Sequence, residues 1–267
     1  MLHPYVSGNK FRKLKYNIQK AKDEKFKQIL SFGGAYSNHI YSLAAAGKIH
    51  NIPTIGIIRG EEHTPLNDTL QFATDCGMKL IYISREAYRN KSNPECLAQL
   101  QTEYPNAFIV PEGGSNTLGV KGCEEIISEI DVDFDYICTG VGSGGTISGI
   151  INSLQGNKII LGFPAIKNAD YLKTDISQFL KEDYQNWGFI SNYHFGGFAK
   201  MKPKLLDFIQ SFKKNHDVLL DPLYTGKMIF GIFDLIQKDY FPLNTTIVAI
   251  HTGGLQGWNG IDPSMLL

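Results

Sequence analysis

Short apolar runs of four to seven residues recur along the chain, most of them ending in glycine or turn residues: KQILSFGG, PTIGIIRG, MKLIYIS, AFIVPEGGSN, FDYICTGVGSGGT, KIILGFPA and TTIVAIHTGG. Between and after them lie longer stretches of helical character: SNHIYSLAAAGKIH, TPLNDTLQFATDCG, NPECLAQLQTEY, LGVKGCEEIISEI, TISGIINSLQ and GKMIFGIFDLIQK. A short continuous apolar run bounded by turn residues reads as a strand buried on both faces. Strands of that kind alternating with helices predict parallel-rich sheets flanked by helices, an α/β fold. Ser37 or Asn38 suits the start of the helix after KQILSFGG, and Gly77 suits the end of the helix before MKLIYIS. Residues 168–217 are aromatic and polar, with one helix expected near 201–214.

The glycine loops carry the candidate chemistry. SFGGAYSN, VPEGGSN, CTGVGSGGT and AIHTGG each follow an expected strand, and open α/β sheets bind ligands beyond the carboxyl ends of their strands. GVGSGGT lies between a strand and a helix, where exposed N–H groups and the helix dipole favour an anion. Its Gly142, Ser143, Gly144, Gly145 and Thr146 make the strongest phosphate cradle in the chain. Gly140, Gly142 and Gly145 also match GxGxxG, but a dinucleotide site wants an acid about 20 residues later. The following strand, KIILGFPAI, has none, and Asp170 comes too late. A smaller phosphorylated ligand is expected.

Lys10 lies in SGNKFRKLKYN, behind a glycine at a helix mouth, with Arg12, Lys13 and Lys15 as neighbours that could simply solvate the helix. A specific lysine together with a phosphate cradle points to an aldehyde cofactor held as a Schiff base. Ser37 and Asn38 sit at a helix start, able both to cap it and to meet a carboxylate; His39 reads as structural. Tyr224, beside a Pro turn, and Thr252, at a strand end, are equally compatible with packing.

The chain has 267 residues, 43% of them apolar, 19% charged, and a formal net charge of zero. That length suits two modest domains or one large α/β domain, with a real core. The neutral balance argues against nucleic-acid or membrane-surface partners. Cys76, Cys96, Cys123 and Cys138 form no CxxC pair and no His cluster has metal spacing, so reduced thiols, a cytoplasmic setting and no metal are expected.

SGNKFRKLKYN, GGAYSNH, PEGGSN, GVGSGGT, LDPLYTGK and HTGG, in that order, resemble the pyridoxal-phosphate enzymes of the 1-aminocyclopropane-1-carboxylate deaminase and D-cysteine desulfhydrase group, which have the tryptophan-synthase-β-like fold. The resemblance covers nearly the whole chain. It implies that Lys10 bonds the pyridoxal 5'-phosphate aldehyde, that Asn38 meets the phenolic oxygen, and that Gly142, Ser143, Gly144, Gly145 and Thr146 hold the phosphate. It also implies that Thr252 faces the pyridine nitrogen. Ser37 and Tyr224 would stand at the substrate as acid/base or nucleophile candidates, and Ser37 and Asn38 would receive its carboxylate. A homodimer acting on a small amino acid is implied as well.

Three departures shape the expectation. The deaminases proper carry a glutamate after the tyrosine, where this chain has Thr225. They carry a second active-site tyrosine near HFGGFAK, where this chain has Phe198. The family usually has some tens of residues before the lysine motif, and here nine precede Lys10. D-cysteine desulfhydrase-like β-elimination to a keto acid and ammonia is therefore expected. The alternatives are cyclopropane ring opening and a non-catalytic cofactor-binding relative. A larger domain of residues 1–23 and 119–267 and a smaller one of 24–118 are expected.

Overall fold

The computed structural model describes residues 4–260. It divides into two compact units, Met1–Gly119 and Val120–Leu267. The first contains α1 (Gly8–Asp23), β1 (Gln28–Gly33), α2 (Asn38–His50), β2 (Thr54–Arg59), α3 (Asp68–Asp75), β3 (Lys79–Ile83), α4 (Arg85–Arg89), α5 (Pro94–Glu103) and β4 (Ala107–Val110). The division falls within α6 (Thr117–Glu124). The second unit continues with β5 (Tyr136–Val141), α7 (Gly145–Leu154), β6 (Ile159–Pro164), α8 (Tyr171–Ser177), β7 (Trp187–Phe189), α9 (Pro203–His216), α10 (Thr225–Gln237) and β8 (Ile247–Ile250).

Each unit is built on a four-stranded parallel sheet, in the order β3-β2-β1-β4 in the first and β7-β6-β5-β8 in the second. In register, Ile29 lies opposite Thr54 and Phe108, and Ile137 opposite Ile160 and Val248. Successive strand residues face opposite sides, and both sides are covered. In the first unit, Ile29 packs with Leu14, Ile18 and Ala21 of α1 and with Ile40 and Leu43 of α2. Leu30 and Phe32 pack on the other side with Tyr88 and Leu97. In the second, Ile137 meets Ile147, Ile150 and Ile151 of α7. Cys138 meets Met228 and Ile232 of α10. Each fully buried Leu, Ile, Met or Phe among these contributes roughly 1.5–3 kcal/mol.

The same topology recurs in both units and it positions the glycine loops. The chain runs from β1 outward to β3, then returns to place β4 on the opposite side of β1; it runs from β5 to β7, then places β8 on the opposite side of β5. The order reverses at β1/β4 and at β5/β8, and ligands collect at such switch points. All four loops singled out in the sequence leave these four strands at their carboxyl ends.

The structure differs from the sequence reading in four places. Helix α1, expected with the larger domain, packs its apolar stripe into the core of the first unit. The helix expected over LGVKGCEEIISEI ends at Glu124 and is followed by a separate 3-10 turn, Ile127–Glu129. TPLNDTLQFATDCG becomes helical only from Asp68, where the Asn67 side chain accepts the N–H of Leu70. Within 168–217 lie α8 and the edge strand β7, besides the expected helix. Among the described residues, no helix is long and apolar enough to cross a membrane.

Candidate functional site

In the first unit, Ser7 is extended and Gly8 takes φ +56°, so the chain turns sharply into α1 and presents half-buried Lys10 as the third helical residue. The apolar stripe of α1 is fixed in the core, which fixes the position of Lys10 along the helix. Its neighbour Lys13 is not a solvated charge. It is 2% exposed, and its Nζ donates to Ser115 Oγ at 2.9 Å. One turn on, Asn17 exchanges two hydrogen bonds with Asn116, at 3.1 and 2.7 Å. The PEGGSN loop after β4 is thereby tied to α1. Gly114, at φ +67°, allows this, since a Cβ there would lie 3.2 Å from Lys13 Cβ and 3.3 Å from His39 Cε1.

Ser37 caps α2 by accepting the Ile40 N–H at 3.3 Å, and half-buried Asn38 opens the helix. His39 is buried. The Ser31 hydroxyl donates to the Val110 carbonyl at 2.7 Å, so it accepts from His39 Nε2–H at 2.8 Å. This fixes the tautomer and leaves Nδ1 as a bare lone pair with no hydrogen-bond partner among the described residues. Burial first, then Lys10 and Lys13, hold the His39 pKa well below the ordinary imidazole value, so the ring is neutral.

In the second unit, Gly144 adopts φ +80° as the first residue before α7, and no side-chain hydrogen bond caps this helix start. No acidic residue lies in its first turn. Gly142 and Ser143 are half-buried, while Gly144, Gly145 and Thr146 are buried. Tyr224 lies close against this loop: a Cβ on Gly140 would be 3.1 Å from Tyr224 Cβ, and one on Gly142 would be 3.2 Å from its hydroxyl. Gly142→Ala is accordingly expected to displace the phenol, a shift that the near-ultraviolet circular dichroism of the variant checks.

Tyr224 is held from below by Asp221, which the sequence reading missed. Fully buried Asp221 accepts the backbone N–H groups of Leu223, Tyr224 and Thr225 at 3.0, 2.8 and 2.8 Å. It also accepts the Thr225 hydroxyl at 2.5 Å. Burial pushes its pKa up, and these four hydrogen bonds pull it back. The spacing Asp-Pro-x-x-Thr before a helix was the available signal. Thr252 is buried beyond β8, between His251 and two glycines at φ +78° and +90°. His251 Nε2 donates to the Leu219 carbonyl at 2.9 Å.

Lys227, one turn into α10, was also missed. It is 2% exposed, and burial lowers its pKa to about 8, with Asp221 opposing the shift. The unfolded chain, with the ordinary value of 10.5, binds more protons than the folded one between these two values. The Lys227 contribution to stability is therefore fully present above 10.5 and lost as pH falls through 8. Wild type is expected to gain stability on Lys227→Met as pH rises through this window, a difference read from urea midpoints at successive pH values.

A separate cavity of about 330 Å³ in the first unit is lined by Phe32, Lys91, Gln101 and Glu112 among others, and by none of the sequence-predicted site residues. Among the described residues, no group of three or more His, Cys, Asp or Glu side chains could hold a metal.

A family model described as pyridoxal-phosphate dependent enzyme matches residues 1–253. The chain is 31% identical to the mitochondrial bifunctional D-cysteine desulfhydrase/1-aminocyclopropane-1-carboxylate deaminase of Arabidopsis thaliana, over 94% of this chain and 70% of that one. It is 27% identical to a protein of Pyrococcus horikoshii named putative 1-aminocyclopropane-1-carboxylate deaminase, over 94% and 81%. Among solved structures, an ACC deaminase homologue superposes with a TM-score of 0.83 at 25% identity, covering 98% of this chain and 84% of that one.

Proposed function

Because the chain belongs to the pyridoxal-phosphate dependent enzymes, we propose that it is a lyase that removes the β-substituent of a small amino acid, with D-cysteine as the leading substrate. Pyridoxal 5'-phosphate is its cofactor. The residues fit that group: a ten-residue helix, α7, starts uncapped behind a run of glycines, as a phosphate site requires. By the resemblance, Lys10, Asn38, Gly142, Ser143, Gly144, Gly145, Thr146 and Thr252 would hold the cofactor. When bound, it supplies an electron sink for the carbanion formed at the substrate Cα.

The remaining chemistry belongs to side chains. The Lys10 amine takes the Cα proton. Ser37 and Asn38, with the first amides of α2, orient the substrate carboxylate. The Tyr224 phenol hands a proton to the departing sulfur. For D-cysteine, one water is consumed, and sulfide, ammonia and the three-carbon keto acid are released. His39, neutral and with no partner on Nδ1 among the described residues, adds no charge of its own beside Lys10. The proposal extends to a homodimer in a reducing cytoplasm; none of the four cysteines forms a disulfide.

The observation that carries β-elimination over ring opening is the state of Thr225. It stands where the deaminases proper have glutamate, it is fully buried, and its hydroxyl is spent on Asp221. It offers a substrate no carboxylate. Phe198 likewise offers no phenol, and its ring packs 6.0 Å from that of Tyr224.

The test is a direct comparison of substrates on cofactor-loaded protein. D-cysteine is expected to give sulfide, ammonia and keto acid with kcat/KM at least about a hundredfold above that for 1-aminocyclopropane-1-carboxylate, as a missing essential group commonly costs. A higher value for the cyclopropane amino acid overturns the substrate assignment. Cofactor binding with turnover of neither makes the chain a non-catalytic relative.

A further inference from the structure

Lys227 is a buried cation outside the roles given above, and burial of a charge is costly unless it is closely partnered. Its Nζ donates to two backbone carbonyls of one segment, His194 O at 3.0 Å and Gly197 O at 2.9 Å. Each of those carbonyls already closes a turn. His194 O accepts the Gly197 N–H at 3.0 Å, and Gly197 O accepts the Lys200 N–H at 3.1 Å. The ammonium therefore takes the second lone pair at the closing point of two successive turns.

The clamped segment needs such help. Phe195, Gly196, Gly197 and Ala199 all have positive φ, at +55°, +108°, +123° and +55°. Left-handed conformations at two non-glycine residues cost energy, and the Gly196 N–H is held by His194 Nδ1 rather than by a regular element. Phe198 projects from this segment, 47% exposed, and its ring contacts Tyr224. Tyr224 begins α10 three residues before Lys227, and its backbone is fixed by Asp221. One short stretch of helix thus sets both partners of the ring pair, Tyr224 directly and Phe198 through the Lys227 clamp.

We propose that Lys227 is a positioning residue for substrate selection: from inside the second unit it pins residues 194–199, so that Phe198 is held against Tyr224 as a wall of the substrate subsite. The proposal rests on the reading of Tyr224 as a substrate-facing residue. Lys227 acts through the segment and touches neither cofactor nor substrate.

The test uses wild type, Lys227→Met and Phe198→Ala. Methionine keeps much of the buried stem and removes the clamp, while Phe198 is exposed enough that its truncation leaves the fold intact. Amide hydrogen exchange, followed without substrate, is expected to show protection over residues 194–200 in wild type. Lys227→Met should lose it at least tenfold there and nowhere comparable elsewhere, with borohydride-trapped cofactor unchanged. In steady-state kinetics, both variants should raise KM for D-cysteine by about tenfold with kcat within about twofold, because ground-state contacts are lost and the reacting groups stay. The double variant should add nothing further, since both changes remove one interaction.

Unchanged protection in Lys227→Met, or loss of protection with KM unchanged, overturns the proposal and leaves the lyase assignment standing. Should Lys227→Met fail to fold, Phe198→Ala decides: an unchanged KM overturns the proposal, and a raised KM with protected wild-type residues 194–200 supports it. A wild-type protein that binds no cofactor or turns over no β-substituted amino acid overturns the lyase reading and this proposal together, and that result is read without any variant.

Discussion

Lys10→Ala is expected to lower D-cysteine turnover by at least about a thousandfold, since in the proposed mechanism one group supplies both the covalent hold on the cofactor and the base. Stability should change by no more than about 0.5 kcal/mol, because a half-buried side chain outside the core is removed. The sharp turn at Ser7 and Gly8 and the buried stripe of Leu14, Ile18 and Ala21 place this amine independently of its own side chain. Lys13, the next lysine along the helix, is buried and bonded to Ser115, so it is not available as a substitute. Lys10→Arg should be as inactive as alanine: a guanidinium keeps the charge but is effectively never deprotonated. Sulfide and keto-acid release, measured beside thermal unfolding of the same samples, separates lost chemistry from lost fold. Activity in Lys10→Arg within tenfold of wild type would show that only the charge matters.

Asp221→Ala is expected to cost about 3–5 kcal/mol, the range for breaking a buried, multiply bonded charge. Three backbone N–H groups and the Thr225 hydroxyl lose their acceptor at once, at the start of a helix whose Met228, Ile232 and Leu235 form part of the core. Buried Lys227 also loses the carboxylate that favours its charged form. Asp221→Asn should recover part of the loss. Its carbonyl can accept from Leu223 and Tyr224, but its amide would point a donor at the Thr225 N–H. Urea midpoints for the three proteins, in the order wild type, Asn, Ala, give the check. Turnover should fall in the same order, because Asp221 holds the Tyr224 backbone.

Most of the sheet architecture is written in the chain as short apolar runs closed by glycine. The inner strands β1, β2, β5 and β6 are almost wholly buried and the edge strands β3 and β8 are not, and the glycine ends of β1, β4, β5 and β8 are the switch-point loops. The glycine turn into α7 and the cap at Ser37 were legible for the same local reason: each depends on a few adjacent residues. Partnership over distance was not legible. The stripe of α1 announces a buried face but not which core buries it. Lys13, Asp221 and Lys227 belong to residue types that normally face water, and nothing local marks Lys13 as the partner of Ser115, 102 positions later. His39 was read as structural from its sequence neighbours. Its buried Nδ1 becomes visible only once Ser31 and Val110 are placed beside it. Strand β7 escaped notice because its three residues are all half-buried and aromatic or glycine, with no run to detect.

The central claim, that Lys10 is the residue bearing the cofactor, is tested most directly by reducing the pyridoxal-phosphate-loaded protein with borohydride and mapping the adduct by peptide mass. The expected result is a visible absorption band that disappears on reduction, with the pyridoxyl-phosphate mass on the peptide and residue containing Lys10. An adduct on Lys13, Lys227 or any other lysine, or a protein that stays colourless with added pyridoxal phosphate, would contradict it.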